Sequence, residues 1–381
     1  TSLPILAGVG VLALACVLAL KTGLARRVFF AVFAYVKGSD LLAPTILNNP
    51  PVNSPYQRWL DTARKAIPVV EGRVLHDIEH VALQAWPQMG EGATGLYLHF
   101  AGYQMIDGAV LQIPVQGKTA SQRHLYEKGI YILSGVGYAI LQQEGKPPRR
   151  MEWGSGDLFS VPLNVRHQIH NTGHEPARMV VVSSFPLILN LFNSASFVES
   201  NSHVFTDRYE GTPDFLESVR ELTELELAAN FVKDIRHTAL RPNEFRGKGN
   251  KSIRWLMAGN SMLSMHISEI PPKTIKKAHR ITSNAFVLTL SGEGFSVFWR
   301  EGAYDDRERV DWKPGTLFAP PVFWYQQHLN TGLTPARYLA INVPGMVRNI
   351  GLHLEDQLEV DIKEVKIEWN RELERASSKQ Q

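Results

Sequence analysis

A single cysteine, Cys16, stands in 381 residues. An internal disulfide and a cysteine-rich metal site are therefore excluded. An excess of one charge is also missing. Forty Lys and Arg face 37 Asp and Glu, and a net of +3 over this length gives no reason to propose a nucleic-acid partner. Charged residues make up only 20% and apolar ones 44%, which are globular values and exclude a disordered, collagen-like or multi-span membrane chain. There is no Gly-x-Ser-x-Gly elbow, no Gly-x-x-x-x-Gly-Lys-Ser/Thr loop and no His-Glu-x-x-His helix.

What is present begins with an apolar run. Residues 2–20 (SLPILAGVGVLALACVLAL) carry no charge. As a helix they would extend about 28 Å, close to the hydrocarbon thickness of a bilayer. A cleaved signal needs a basic segment before the run, and nothing basic precedes this one. Ala13 and Leu14 also make Cys16 a poor lipoprotein site. We expect a retained single-pass anchor. Lys21, Arg26, Arg27 and Lys37 follow it, which places the rest of the chain in the cytoplasm. Residues 24–36, with the aromatic run VFFAVFAYV, suit an interfacial helix or a helix docked on a partner. Residues 37–56 have the Pro, Asn and Ser content of a linker.

The strongest pattern is a duplication. Residues 153–178 and 312–337 align without a gap at an offset of 159, with 12 of 26 positions identical. Chance would give about one or two, so two copies of one domain are expected. Trp153/Trp312, Gly156/Gly315, Pro162/Pro321, Asn171/Asn330 and Arg178/Arg337 are among the matches. Upstream, Leu133-Ser134-Gly135-Val136-Gly137 aligns with Leu290-Ser291-Gly292-Glu293-Gly294 at an offset of 157. Short β-prone runs ending in Gly-x-Gly turns predict a mainly β chain of two tandem jelly-roll barrels, at residues 70–192 and 238–348. Between them, residues 193–237 are expected as a connector, helical over 213–234, where Phe215, Leu216, Val219, Leu222, Leu225 and Leu227 recur. In the C-terminal extension, residues 349–381, the apolar Val360, Ile362, Val365 and Ile367 fit a strand or a helix equally.

These residues resemble the cupin superfamily. Its second motif runs Gly, five residues, Pro-x-Gly, two residues, His, three residues, Asn. Gly156, Pro162, His167 and Asn171 reproduce that spacing, with Asn164 at the second Gly. Gly315, Pro321 and Asn330 repeat it, with Phe323 at the second Gly and Gln326 at the His. The layout looks like a bicupin, closest to the gentisate-dioxygenase-like group, which also tends to carry Ala where Ala285 stands here. The resemblance implies iron or manganese held by three His and sometimes one Glu, with open positions for substrate and oxygen.

Carried over residue by residue, the four ligand positions fall on Gln122, His124, Lys128 and His167 in the first copy. In the second they fall on His279, Ile281, Ala285 and Gln326. Neither set has three good donors. The metal candidates are thus His124 and His167, with Glu127 as a third only if a bulge turns it inward, since neighbouring strand residues face opposite ways. His328 lies two residues beyond Gln326 and shares its face, whereas His170 faces away from the side of His167. Lys128 either faces solvent or points inward. Inward, its ammonium opposes a divalent ion, by about 4 kcal/mol per unit charge at 4 Å and an effective dielectric of 20. Gln122, Lys128, His279, Gln326 and His328 are the cavity candidates. The remaining histidines are isolated and read as packed or surface residues.

Three readings follow. The first is a non-catalytic bicupin with no cofactor, an accessory or scaffold subunit whose N-terminal helix meets an integral membrane partner. The second is an iron- or manganese-dependent dioxygenase of a small aromatic acid. The third is a small-anion binding module using Lys128 and Gln122. Homo-dimerisation through outer strands is an expectation carried by the resemblance alone.

Overall fold

The computed structural model describes residues 53–212, 214–257 and 262–378. The expected anchor (2–20), the aromatic segment (24–36) and most of the linker lie outside them. Among the described residues no helix is long and apolar enough to cross a membrane.

Each copy folds as two facing antiparallel sheets. In the first, strands Thr94–Phe100, Asp107–Ile113, Ala177–Ser183, Lys128–Ser134 and Leu158–Val161 lie side by side in that order. They face the three-stranded sheet of Arg166–Asn171, Val136–Gln142 and Arg149–Gly154. The second copy repeats this order with Lys251–Leu256, Ser264–Ile270, Ala336–Asn342, Ala285–Ser291 and Leu317–Phe318. Its facing sheet is led by Ala303–Trp312, Gly294–Arg300 and Tyr325–Asn330. Alternating side chains from both sheets fill each interior.

The identities between copies fall where geometry leaves no alternative. Gly137 and Gly294 lie under the rings of Trp153 and Trp312. A Cβ on either would sit 1.9 Å or 2.0 Å from a backbone carbonyl oxygen on the neighbouring strand. Asn171 Nδ2 donates to the carbonyls of Ile113, Pro114 and Glu175, and its Oδ1 accepts from Gly173 N. Asn330 does the same with Ile270, Pro271, Thr334 and Gly332, at 2.9–3.0 Å. One buried amide thus satisfies a turn that ordinary ladder bonds cannot reach. Asn330→Ala is expected to lower unfolding free energy by about 3 kcal/mol, because three carbonyls lose a donor. Urea unfolding of the variant measures it.

Arg178 and Arg337 explain a third identity, and with it how the copies are joined. Arg178 donates to the carbonyls of Ile78, Glu79 and Val81. Arg337 donates to those of Ile235, Arg236 and Thr238. Each clamps the segment that precedes its own barrel, just after that segment has crossed to the other one. Strand Val74–Leu75, leading into the first barrel, pairs with Leu317–Phe318 of the second. Strand Phe231–Val232, leading into the second, pairs with Leu158–Phe159 of the first. One apolar core spans both copies, with Phe100 stacked on Phe286 at 5.6 Å between ring centres.

The connector differs from the expected helix. Only Asp214–Glu217 is helical among its described residues after 200. Val219–Thr223 and Glu226–Ala229 form a hairpin that adds in parallel to Lys251–Leu256. Helix-favouring Leu and Glu are outweighed there by an open sheet edge, and Val219 and Leu222 are left exposed. The second barrel therefore begins before residue 238. At the C-terminus Val365 and Ile367 fall in a helix, Lys363–Ser378, whereas Val360 and Ile362 precede it in irregular chain; Val365, Trp369 and Leu373 recur at four-residue spacing against the second barrel. The linker ends in a helix, Pro55–Ala63, capped by Ser54.

Candidate functional site

In the first barrel, Gln122, His124, Lys128 and His167 converge. Gln122 and His167 pair by both backbone hydrogen bonds, at 2.8 and 2.9 Å. Lys128 opens strand Lys128–Ser134 and its side chain is buried, facing inward. Its Nζ donates to Gln122 Oε1 at 2.7 Å. His124 and His167 stand nearly perpendicular, with ring centres 5.1 Å apart. Nδ1 of His124 lies 2.9 Å from the Tyr126 carbonyl, and Nδ1 of His167 lies 3.0 Å from the Val165 carbonyl. A carbonyl only accepts, so Nδ1 carries the proton and Nε2 keeps its lone pair. Both Nε2 atoms are buried without a hydrogen-bond partner.

Charge in this interior is set by burial. Burial, reinforced by the Lys128 ammonium, pulls the His167 imidazole down to about 3. His124 is lowered well below its usual range for the same reasons. Burial also lowers Lys128, to about 8, against the opposing pull of Asp107 and Glu199. Asp107 itself is raised to about 7 by burial, although Ser183 and Tyr97 donate to it. Tyr97 OH in turn contacts Tyr56 OH, at 3.1 Å, on the helix Pro55–Ala63. A hydrogen-bonded line thus runs from that helix to a carboxyl group on the strand across Ser183 from Lys128.

Glu127 does not complete a metal site. Strand alternation turns it to the opposite face, where its carboxylate accepts from the backbone N–H groups of Met262 and Leu263 in the second copy. Arg208 lies 3.8 Å away. Among the described residues no group of three His, Cys, Asp or Glu side chains is arranged to hold a metal ion. A divalent ion in the first barrel would meet two imidazole lone pairs, one amide oxygen already engaged by an ammonium, and that ammonium. This donor set does not fit the iron or manganese centre that the resemblance implies.

The second barrel is built differently. His279 and Gln326 are paired across the sheet as the spacing required. His328 Nδ1 lies 2.7 Å from the Ser296 hydroxyl, which also accepts from Trp312 Nε1 at 3.0 Å. Ile281 and Ala285 offer no donor side chain. Sequence reasoning missed Lys276, which is fully enclosed and donates to Ser268 Oγ and Tyr338 OH. Burial holds its amine well below the usual lysine range. Two adjacent lysines, Lys276 and Lys277, gave no sign of which one turned inward. Lys277 pairs with Glu359 outside. The C-terminal extension covers this mouth: Glu355–Gln357 pairs with His279–Ile281, and Arg246 binds Glu355. Over the first barrel the counterpart cover is residues 198–203. There Val198 O accepts from Leu125 N, and the carbonyls of Asn201 and His203 accept from Asn164 Nδ2. Asn164 and Phe323, at the motif's second Gly, both adopt positive φ, 59° and 61°.

Residues 109–183 match the model of the cupin domain family. No curated protein matches the chain. Among solved structures, variants of Bacillus subtilis oxalate decarboxylase are similar in outline. One with a tryptophan replaced by tyrosine has 10% identity and a TM-score of 0.48, over 71% of this chain and 77% of that one. One with a glutamate replaced by alanine has 11% identity, with the same score and coverage. The first barrel is therefore a cupin domain, and the second, repeating its strand order behind the same turn residues, gives the chain a bicupin layout.

Proposed function

We propose that the chain is a membrane-tethered bicupin without redox chemistry, whose first barrel holds a small hydroxylated acid against Lys128. The observation that carries this is the 2.7 Å contact between Lys128 Nζ and Gln122 Oε1, which fills two of the four ligand positions with an ammonium and its acceptor. The ammonium then takes the place of a metal as the cation of the barrel. Its remaining N–H groups suit a carboxylate, and the lone pairs on His124 and His167 Nε2 suit a hydroxyl that donates. A ligand carrying both groups complements the site. Such a module serves as a ligand-responsive accessory subunit, held at the cytoplasmic face by residues 2–20 and in reach of an integral membrane partner.

The two free Nε2 atoms favour one second reading, the iron or manganese dioxygenase. The same experiment separates them. Purified protein is screened for thermal shift with aliphatic and aromatic carboxylates and hydroxy acids, and its metal content is measured before and after reconstitution. Hydroxy acids are expected to raise the melting temperature, Lys128→Met to abolish the rise, and metal to stay far below one per chain. Stoichiometric iron or manganese that leaves in His124→Ala would establish the dioxygenase instead.

A further inference from the structure

Beside the first barrel lies a cavity of about 540 Å³, within the range of small-ligand sites. Ten of its thirteen lining residues are apolar. Leu187, Leu191 and Phe192 come from helix Phe185–Phe192, Phe197 from helix Ala195–Ser200, and Met262 and Met346 from the second copy. Its rim is apolar as well. Leu191 is 62% exposed, Phe192 45% and Phe197 44%. Ile350 and Leu352, which follow the lining residue Asn349 along the chain, are 52% and 62% exposed. Large apolar side chains gathered in this way mark an interaction site rather than ordinary surface.

The helix that precedes the first barrel packs on the same wall of the cavity. The first helix, Pro55–Ala63, is held on the same helix that lines the cavity: Tyr56 N donates to Asn190 Oδ1 at 2.9 Å. Arg58 donates to the Asn53 carbonyl and, at 2.9 Å, to Asn193 Oδ1, the residue after Phe192. The chain that leads back to the uncharged residues 2–20 therefore leaves this unit next to Leu191 and Phe192. Two exposed cations stand close by in the chain: Arg58, bonded to Asn193, and Arg348, next to the lining residue Asn349.

We propose that this cavity docks an acyl chain of a bilayer phospholipid, seating the barrels on the membrane face. The inference rests on the tethered reading given above. Leu191, Phe192 and Phe197 enter the headgroup–acyl boundary, as the apolar face of an interfacial helix does, and the lipid tail fills the space between them and Met262. A docked unit is held at a fixed height, whereas a tether alone would leave it free above the surface.

The test uses the full chain with Cys16→Ala, carrying a nitrobenzoxadiazole label at Phe192→Cys or, as control, at Leu333→Cys. Leu333 is exposed at the far end of strand Ala336–Asn342 from helix Pro344–Asn349, about 20 Å along the strand direction. Both proteins are placed in phosphatidylcholine and phosphatidylglycerol vesicles with and without acyl-spin-labelled phosphatidylcholine. Emission from position 192 is expected to fall at least about twofold with the spin label, and from position 333 hardly at all. Protein that floats with the vesicles but shows equal emission loss at both positions overturns the docking and leaves the tether standing. Protein that stays in solution overturns both. A label at 192 shielded in native membranes but indifferent to spin-labelled lipid points to a protein partner and overturns the lipid assignment.

Discussion

Acidification from pH 7 to pH 4 is expected to unfold the protein, with the melting temperature dropping by at least about 5 °C before the transition is lost. Burial pulls five enclosed imidazoles furthest below the usual histidine range. His167 and His328 are each pulled down to about 3 by burial first, then by a nearby lysine. His124, His266 and His279 are lowered well below their usual range, again by burial first. A histidine whose folded pKa lies below its unfolded value contributes stability fully above pH 6.5. It loses that contribution as the pH falls, because the unfolded chain binds the proton first. At pH 5, His167 and His328 together lose about 4 kcal/mol. Asp107 acts in the opposite sense. Its folded pKa of about 7 lies above the usual carboxylate range, so its protonation between pH 7 and pH 5 returns about 2 kcal/mol. His124, His266 and His279 all add to the loss, and below pH 4 Asp107 has nothing further to return. Thermal melts followed by circular dichroism at pH 7, 6, 5 and 4 measure the balance. A melting temperature that stays level or rises would show that these rings are not held neutral.

Cutting the chain between the barrels is expected to leave neither half folded, and the intact protein to unfold in one transition. The shared core contains Leu96, Leu98, Phe100, Tyr103 and Val182 from the first copy and Trp255, Met265, Ile267, Phe286, Leu288 and Ile341 from the second. Exposing eleven such side chains at about 1.5 kcal/mol each would cost more than about 15 kcal/mol, as much as the whole stability of a typical domain. Tyr103 OH also donates to the Pro320 carbonyl across the junction. Residues 53–212 and 219–378 expressed separately should be insoluble. Urea unfolding of the full chain, followed by tryptophan fluorescence and far-ultraviolet circular dichroism, should give coincident curves. Two resolved steps would mean that the barrels are independent.

The duplication was legible because turns tolerate few solutions. Asn171 and Asn330 each serve three carbonyls, and Gly137 and Gly294 each lie under a tryptophan, so these positions stayed alike while the strands between them diverged. The connector was not legible. Residues 219–229 carry helix-favouring leucines and glutamates, and the hairpin they form is held by the distant strand Lys251–Leu256. At the site, alternation correctly turned Glu127 and His170 away from the side of Lys128 and His167. His170 stacks on Tyr138 instead, at 4.6 Å. Lys128 itself was undecided between interior and solvent, because alternation gives relative sides and not which side is inside. Asp107 and Lys276 left no trace. Each is buried by tertiary packing that its local sequence does not signal.

The crossing of Val74–Leu75 and Phe231–Val232 has a consequence for the chain's history. Each half lends the other a piece of its wall, so neither can be discarded by a later deletion. Whatever the second barrel binds, the first needs it to stand.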